Sequence, residues 1–156
     1  VRSRGLGDVY KRQFVSRGIT PMQSASLLLI LVAGISIYGI RRGKTLWGID
    51  LILFLVAGMA GCILAFLALF SQHPAVSPNY ILFVFHPFHL FCLPFMLSRV
   101  RKREISRYML VDFVVLTLFI GLWTIIPQRI PPAVLPLALC LLIRSASNLI
   151  LTYKRK

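Results

Sequence analysis

Long stretches of almost uninterrupted apolar residues, separated by short polar links, constrain this chain more than any other feature. There are five of them, at about residues 22–40, 49–71, 80–98, 109–127 and 132–153. A helix needs about 20 mostly apolar residues to cross the hydrocarbon core of a bilayer. The chain is also 58% hydrophobic and only 14% charged, whereas a soluble domain has about a quarter of its residues charged. We therefore predict an all-α, polytopic membrane helix bundle with five transmembrane helices.

The Lys and Arg residues fall in alternate links. Eleven of them lie in the first link, the third link and the C-terminal tail, namely Arg41, Arg42, Lys44, Arg99, Arg101, Lys102, Arg103, Arg107, Lys154, Arg155 and Lys156. The second and fourth links hold Arg129 alone. Because short basic loops stay in the cytoplasm, the predicted orientation is N-out and C-in. The net charge of +14 then reflects topology signals near lipid headgroups, which favours membrane lipid over nucleic acid as the partner.

The first residues do not read as part of the fold. The stretch SRGLGDVYKRQ, residues 3–13, resembles the in-frame translation of a transposon-end sequencing adapter, so we interpret residues 1–13 as non-native. Residues 14–21 are then a segment that precedes the first helix on the outer side, and residues 22–156 form the transmembrane domain. On this interpretation the chain is a fragment from metagenomic sequencing that has lost its true N-terminus.

One face of the second span carries small residues. Ala57, Gly61, Ala65 and Ala68 recur at helical spacing. Small residues allow helix backbones to approach closely in lipid. We predict a helix-packing face, internal rather than between subunits, and the sequence leaves the oligomeric state open.

The motif HPFH places His86 and His89 three residues apart, in the predicted outer half of the third span. Such a pair can share a metal ion, but no acidic residue accompanies it on the outer side, and His73 is the only third candidate ligand. We therefore expect no metal. Pro87 and Pro94 predict a kink that frees backbone carbonyls, which a histidine can satisfy.

Asp112 and Arg144 are the ionisable residues predicted within the membrane. Such groups are costly in lipid and are functional candidates by default. One hypothesis is a buried Asp112–Arg144 pair that joins the fourth and fifth spans. The other is that Arg144 extends alone toward the inner interface, helped by Ser145, Ser147 and Asn148, while Asp112 reaches headgroup water.

No arrangement of residues typical of catalysis or of cofactor binding is present in the sequence. It contains no glycine-rich phosphate loop and no nucleophile set beside a histidine and an acid. The links are also too short to form a catalytic domain. From the residues alone, a small multispan transporter or channel subunit and a structural membrane scaffold both remain open.

Several stretches resemble a known family. They are DLILFLVAGMAGCILAFLALFSQHPAVSPNY, PFHLFCLP, VVLTLFI, IPQ and AVLPLALCLLIRSASNLILTYKRK, within residues 46–156. This series resembles the C-terminal membrane region, a domain of unknown function, of a Bacteroidota family with an N-terminal extracytoplasmic Lnb-like domain. Lnb is the lipoprotein intramolecular acyltransferase.

The resemblance implies a membrane-anchoring, lipid-facing domain of the bacterial cytoplasmic membrane. The thiol-dependent catalytic region of that family lies in the extracytoplasmic domain, so no catalytic residue is carried over to this chain. An acyltransferase-like activity would belong to a full-length parent, and the missing domain of the same chain would be the main partner. The outer-side residues His73, Asn79, His86 and His89 would then face that domain.

Overall fold

The computed structural model describes residues 18–70 and 79–154, and every regular element in that part of the chain is helical. The elements are α1 (Pro21–Arg42), α2 (Trp47–Phe70), a 3₁₀ turn (Tyr80–Phe83), α3 (Phe88–Phe91), α4 (Leu93–Lys102), α5 (Arg107–Gly121) and α6 (Val134–Tyr153). The predicted all-α class is therefore confirmed for the described residues. The proposed adapter segment 1–13 and His73 lie outside them.

Helix α1 has clear chemical signals at both ends. Thr20 forms a capping box with Gln23: each side chain bonds the other's backbone N–H, and Pro21 starts the helix. The helix ends at Gly43, which adopts a left-handed φ of 61°, a conformation that glycine adopts without steric cost. The structure thus extends the first predicted span by one to two residues at each end.

Helix α6 is the centre of the bundle. It packs against α1 and α5, while α2 packs mainly against α3 and α4. More residues are buried in α6 than in any other helix, and they include Arg144, Ser145 and Asn148. The most central helix is therefore also the one richest in buried polar side chains.

The third hydrophobic segment does not form one straight span. Its first part, Tyr80–Phe91, meets Leu93–Lys102 at a bend of 77°. Pro87 and Pro94 both lie in this region, and a proline removes a backbone donor and clashes with the preceding helical turn. The predicted kink is confirmed, and it is a complete break.

Helices α1, α2 and α6 are long and apolar enough to cross a membrane, and the broken segment makes a fourth crossing if it counts as one span. Helix α5 has 15 residues, or about 22 Å at 1.5 Å per residue, against a hydrocarbon core of about 30 Å. The predicted fourth span, 109–127, is thus helical only as far as Gly121 and continues as turns.

The basic links meet at one end of the bundle. The Arg103 guanidinium donates to the Gly43 carbonyl, and Arg101 lies over the Trp47 ring, 3.8 Å from its centroid. The end of α6 also lies here, since Thr152 and Thr45 line the same small cavity. We call this region, residues 41–46, 99–107 and 152–154, the basic end. At the opposite end of the bundle, the start of the broken segment contacts the α5–α6 link, where the Tyr80 N–H donates to the Gln128 side chain at 2.8 Å.

Candidate functional site

A buried ion pair joins α2 to α6. Arg144 Nε donates to Asp50 Oδ1 at 2.6 Å, and Arg144 Nη2 donates to Asp50 Oδ2 at 3.0 Å. The two residues are only 1% and 0% exposed. The planar fork of a guanidinium matches a carboxylate in this bidentate way, which gives both strength and a fixed orientation.

Two further side chains complete this network. Ser36 on α1 accepts from Arg144 Nη1 at 3.0 Å, and Asn148 on α6 donates to Asp50 Oδ2 at 2.9 Å. The charges therefore neutralise each other and their hydrogen-bonding groups are engaged, as a charged pair in lipid requires. These four hydrogen bonds form one polar network that joins helices α1, α2 and α6 in the apolar interior.

Both hypotheses for Arg144 are wrong. Its partner is Asp50 rather than Asp112, and its side chain does not extend alone to the interface, since it is buried and paired. The sequence offers one signal for this partner: Asp50 lies in the first turn of a strongly apolar helix. That position is at the edge of the predicted span, where a carboxylate is expected to reach water.

A second buried network forms around the histidines. The rings of His86 and His89 stack with centroids 3.8 Å apart at an angle of 18°. His89 Nε2 lies 2.9 Å from the Val84 carbonyl oxygen, and the Tyr108 hydroxyl lies 2.7 Å from His89 Nδ1. The expectation that a histidine satisfies a carbonyl freed by the kink is confirmed.

Asp112 belongs to this histidine cluster. Its Oδ2 accepts from the Ser145 hydroxyl at 2.6 Å, and its Oδ1 lies 4.0 Å from His89 Nε2. Neither Asp112 Oδ1 nor His86 Nδ1 has a hydrogen-bond partner, although both atoms are buried. One ligating atom from each of His86, His89 and Asp112 can be chosen so that all lie within 4.8 Å of one another.

The sequence placed the histidines in the outer half of a straight third span, whereas in the structure His86 lies beside the middle of α2. His86 packs against Gly61 in the middle of α2, and His89 lies beside Tyr108 and Asp112 in the first turns of α5. The break in the third segment is the reason, because a straight helix would have kept His86 near its outer end. The same break brings Asp112 close to the histidines, although the sequence had assigned Asp112 and the histidines to opposite sides of the membrane.

Close backbone approach makes this packing possible. A Cβ atom on Gly61 would lie 2.5 Å from the His86 carbonyl carbon, and one on Gly58 would lie 2.6 Å from the Leu90 nitrogen. Of the predicted small-residue face, Ala57 and Gly61 are buried, whereas Ala65 and Ala68 are half-buried. The seam thus covers the middle of α2, and its partner is the histidine segment.

Asn79, the remaining candidate on the predicted outer side, has a local role in the structure. Its side chain accepts from the Ile81 N–H at 3.1 Å and so caps the 3₁₀ turn. His73 lies outside the described residues.

Two grooves border the histidine cluster. One, of about 420 Å³, has apolar walls and reaches His86 and Asp112. The other, of about 990 Å³, lies at the basic end beside Arg99 and Arg107. In the described part of the chain, no serine or cysteine is hydrogen-bonded to a histidine, so these contacts do not assemble an activated nucleophile.

Comparison with known families agrees with the sequence resemblance. The model of the Lnb transmembrane domain family matches residues 13–156. No curated protein and no solved structure matches the chain. Since the match covers nearly the whole sequence, this chain is a membrane protein that belongs to the Lnb transmembrane domain family.

Proposed function

We propose that this chain is the membrane-anchoring, lipid-facing domain of an Lnb-like envelope protein. It holds an extracytoplasmic domain of the same chain at the outer face of the bacterial cytoplasmic membrane. The observation that carries the proposal is the family match over residues 13–156, taken together with the gathering of the basic links at one end of the bundle.

The charge distribution supports an N-out, C-in arrangement with five crossings. Basic loops are retained in the cytoplasm, and here Arg101 and Arg103 contact the turn between α1 and α2. Both α1 and α6 end at the basic end, which is consistent with an odd number of crossings and an N-terminus outside. In this arrangement the short helix α5 and the turns after it form the fourth crossing.

An apolar groove supports the lipid-facing part of the proposal. It has a volume of about 630 Å³ and is bordered by α1, α2, α6 and residues from the broken segment, among them Leu28, Val56, Phe85 and Leu137. In a bilayer, lipid acyl chains are the solvent that fills such a groove. The groove exists because α1 packs on α6 whereas α2 packs on the broken segment.

The polar groups favour an anchor over a transporter. A transported ion or solute needs a continuous polar path, and Arg144 and Asp50 instead bond each other, with Ser36 and Asn148 as further partners. Among the described residues the histidine cluster shares no hydrogen bond with this network, since its own bonds run to Val84, Tyr108 and Ser145. These contacts favour a bundle core over a conduction route.

The test is to recover the coding sequence upstream of this reading frame in its source DNA. We expect a signal peptide and a long soluble domain that continues in frame into the first span. A start codon close to Met22 would contradict the anchoring role and favour a small protein that acts alone. Membrane fractionation of the full-length product, with and without residues 22–156, then shows whether this domain retains the soluble part at the membrane.

A further inference from the structure

We propose that His86, His89 and Asp112 form a binding site for one divalent transition-metal ion of the Zn²⁺ class. The ligating atoms are His86 Nδ1, His89 Nε2 and Asp112 Oδ1. They come from the broken third segment and from α5. One ligating atom from each residue can be chosen so that all three lie within 4.8 Å of one another, and His89 Nε2 and Asp112 Oδ1 are 4.0 Å apart. Anchoring by itself does not require such a site, so the inference goes beyond the function proposed above.

Two of these three atoms are buried without a partner. His86 Nδ1 and Asp112 Oδ1 make no hydrogen bond in the described structure. A buried polar atom left unsatisfied costs about 1–3 kcal/mol, and more if it is charged. An ion between the three side chains would engage both atoms at once.

The two buried aspartates differ in how their charge is compensated. Asp50 is neutralised by Arg144, with which it forms two hydrogen bonds. Asp112 is only 2% exposed, yet in the described part of the chain no Lys or Arg nitrogen lies within 4 Å of its carboxylate. An ionised carboxylate in an apolar bundle is costly without a compensating positive charge, and a divalent cation held by two neutral imidazoles supplies one.

Other polar atoms of the ligands are already held by neighbouring side chains. The Ser145 hydroxyl bonds Asp112 Oδ2, and the Tyr108 hydroxyl lies 2.7 Å from His89 Nδ1. Metal-binding histidines and carboxylates characteristically have such outer partners, which fix the tautomer and the ring orientation. When Nδ1–H donates to Tyr108, the Nε2 lone pair is free for an ion, and this replaces the contact with Val84 O.

Nitrogen and oxygen ligands of this kind suit Zn²⁺ and its first-row neighbours. Ligands at about 2.0–2.1 Å from Zn²⁺ in a tetrahedron are about 3.4 Å apart. Binding therefore requires the stacked His86 and His89 rings to rotate until both lone pairs point at the ion. The groove of about 420 Å³ beside His86 and Asp112 provides access.

The experiment uses the full chain purified in detergent, stripped with a chelator and titrated with Zn²⁺ alone. We expect one Zn²⁺ per chain by calorimetry and by elemental analysis after dialysis. The variants His86→Ala and Asp112→Asn should lose this binding. Ser145→Ala, which removes only an outer partner, should weaken it about 10- to 100-fold.

The matched control is Cys140→Ala, which removes a metal-binding type of side chain that lies outside the cluster. It should bind Zn²⁺ as the parent chain does. Circular dichroism of each variant checks that the helices persist, and Co²⁺ provides a second readout through its visible absorption. The proposal is overturned if the parent chain binds no ion, or if folded His86→Ala and Asp112→Asn variants bind Zn²⁺ as tightly as the parent, which would indicate adventitious binding.

Discussion

Replacing Asp50 by Asn should destabilise the bundle strongly because Arg144 would remain buried without its counter-charge. The amide oxygen can still accept from Arg144 Nε, but an NH₂ group would then face the donors of Arg144 Nη2 and Asn148. Breaking a buried pair by removing one partner costs about 3–5 kcal/mol. For a chain of this size that corresponds to a fall in Tm of roughly 6–20 °C.

The assay is thermal unfolding in detergent, followed by circular dichroism in the presence of a chelator so that bound metal does not contribute. Asp112→Asn is the matched control, because Asp112 is equally buried but its strong contact is the neutral Ser145 hydroxyl. Without metal the Asp112 carboxylate has no compensating charge, so we expect that control to change the free energy of unfolding by no more than about 1 kcal/mol. Equal losses of stability in the two variants would refute the reasoning.

A double variant separates the charge from the packing. Asp50→Leu combined with Arg144→Met removes both charges and keeps apolar volume in the core. Replacing a buried ion pair by apolar residues is often neutral or stabilising, so most of the Tm lost in Asp50→Asn should return. A double variant less stable than Asp50→Asn would mean that the pair contributes more than mutual neutralisation.

Two further substitutions test the histidine segment. Gly61→Ala should lower the free energy of unfolding by about 1–3 kcal/mol, because the new Cβ would lie 2.5 Å from the His86 backbone. The control is Gly34→Ala on α1, where a Cβ meets nothing within 4 Å, so this variant should be neutral or stabilising. An equal response of the two variants in thermal unfolding would rule out the close approach. Tyr108→Phe removes the hydroxyl that lies 2.7 Å from His89 Nδ1 and should cost about 1 kcal/mol in the same assay, and an unchanged Tm would show that this hydrogen bond does not contribute.

Hydropathy alone predicts the long helices well. The first, second and fifth spans agree with α1, α2 and α6 within one to two residues at each end, because long apolar runs have one stable solution in lipid. Proline predicts the break in the third segment for a similarly local reason. The length of α5 does not follow from hydropathy, since apolar residues continue past Gly121 although the helix does not.

The polar contacts between helices cannot be read from the sequence in the same way. Asp50 and Arg144 are 94 positions apart, and nothing local specifies which acid a buried arginine meets. The geometry of the histidine cluster depends on the break, because a straight third span would separate His86 from Asp112 by about half of the hydrocarbon thickness. Both errors come from assigning depth along straight helices.

The central claim is that the basic end faces the cytoplasm and that the chain begins outside, and a topology map tests it most directly. Paired reporters, one active only in the cytoplasm and one only outside it, are fused after Glu104, after Gln128 and at the C-terminus. We expect cytoplasmic signals at Glu104 and at the C-terminus, and an external signal at Gln128, where the opposite end of the bundle lies. A cytoplasmic signal at Gln128, or an external one at Glu104, would contradict the claim.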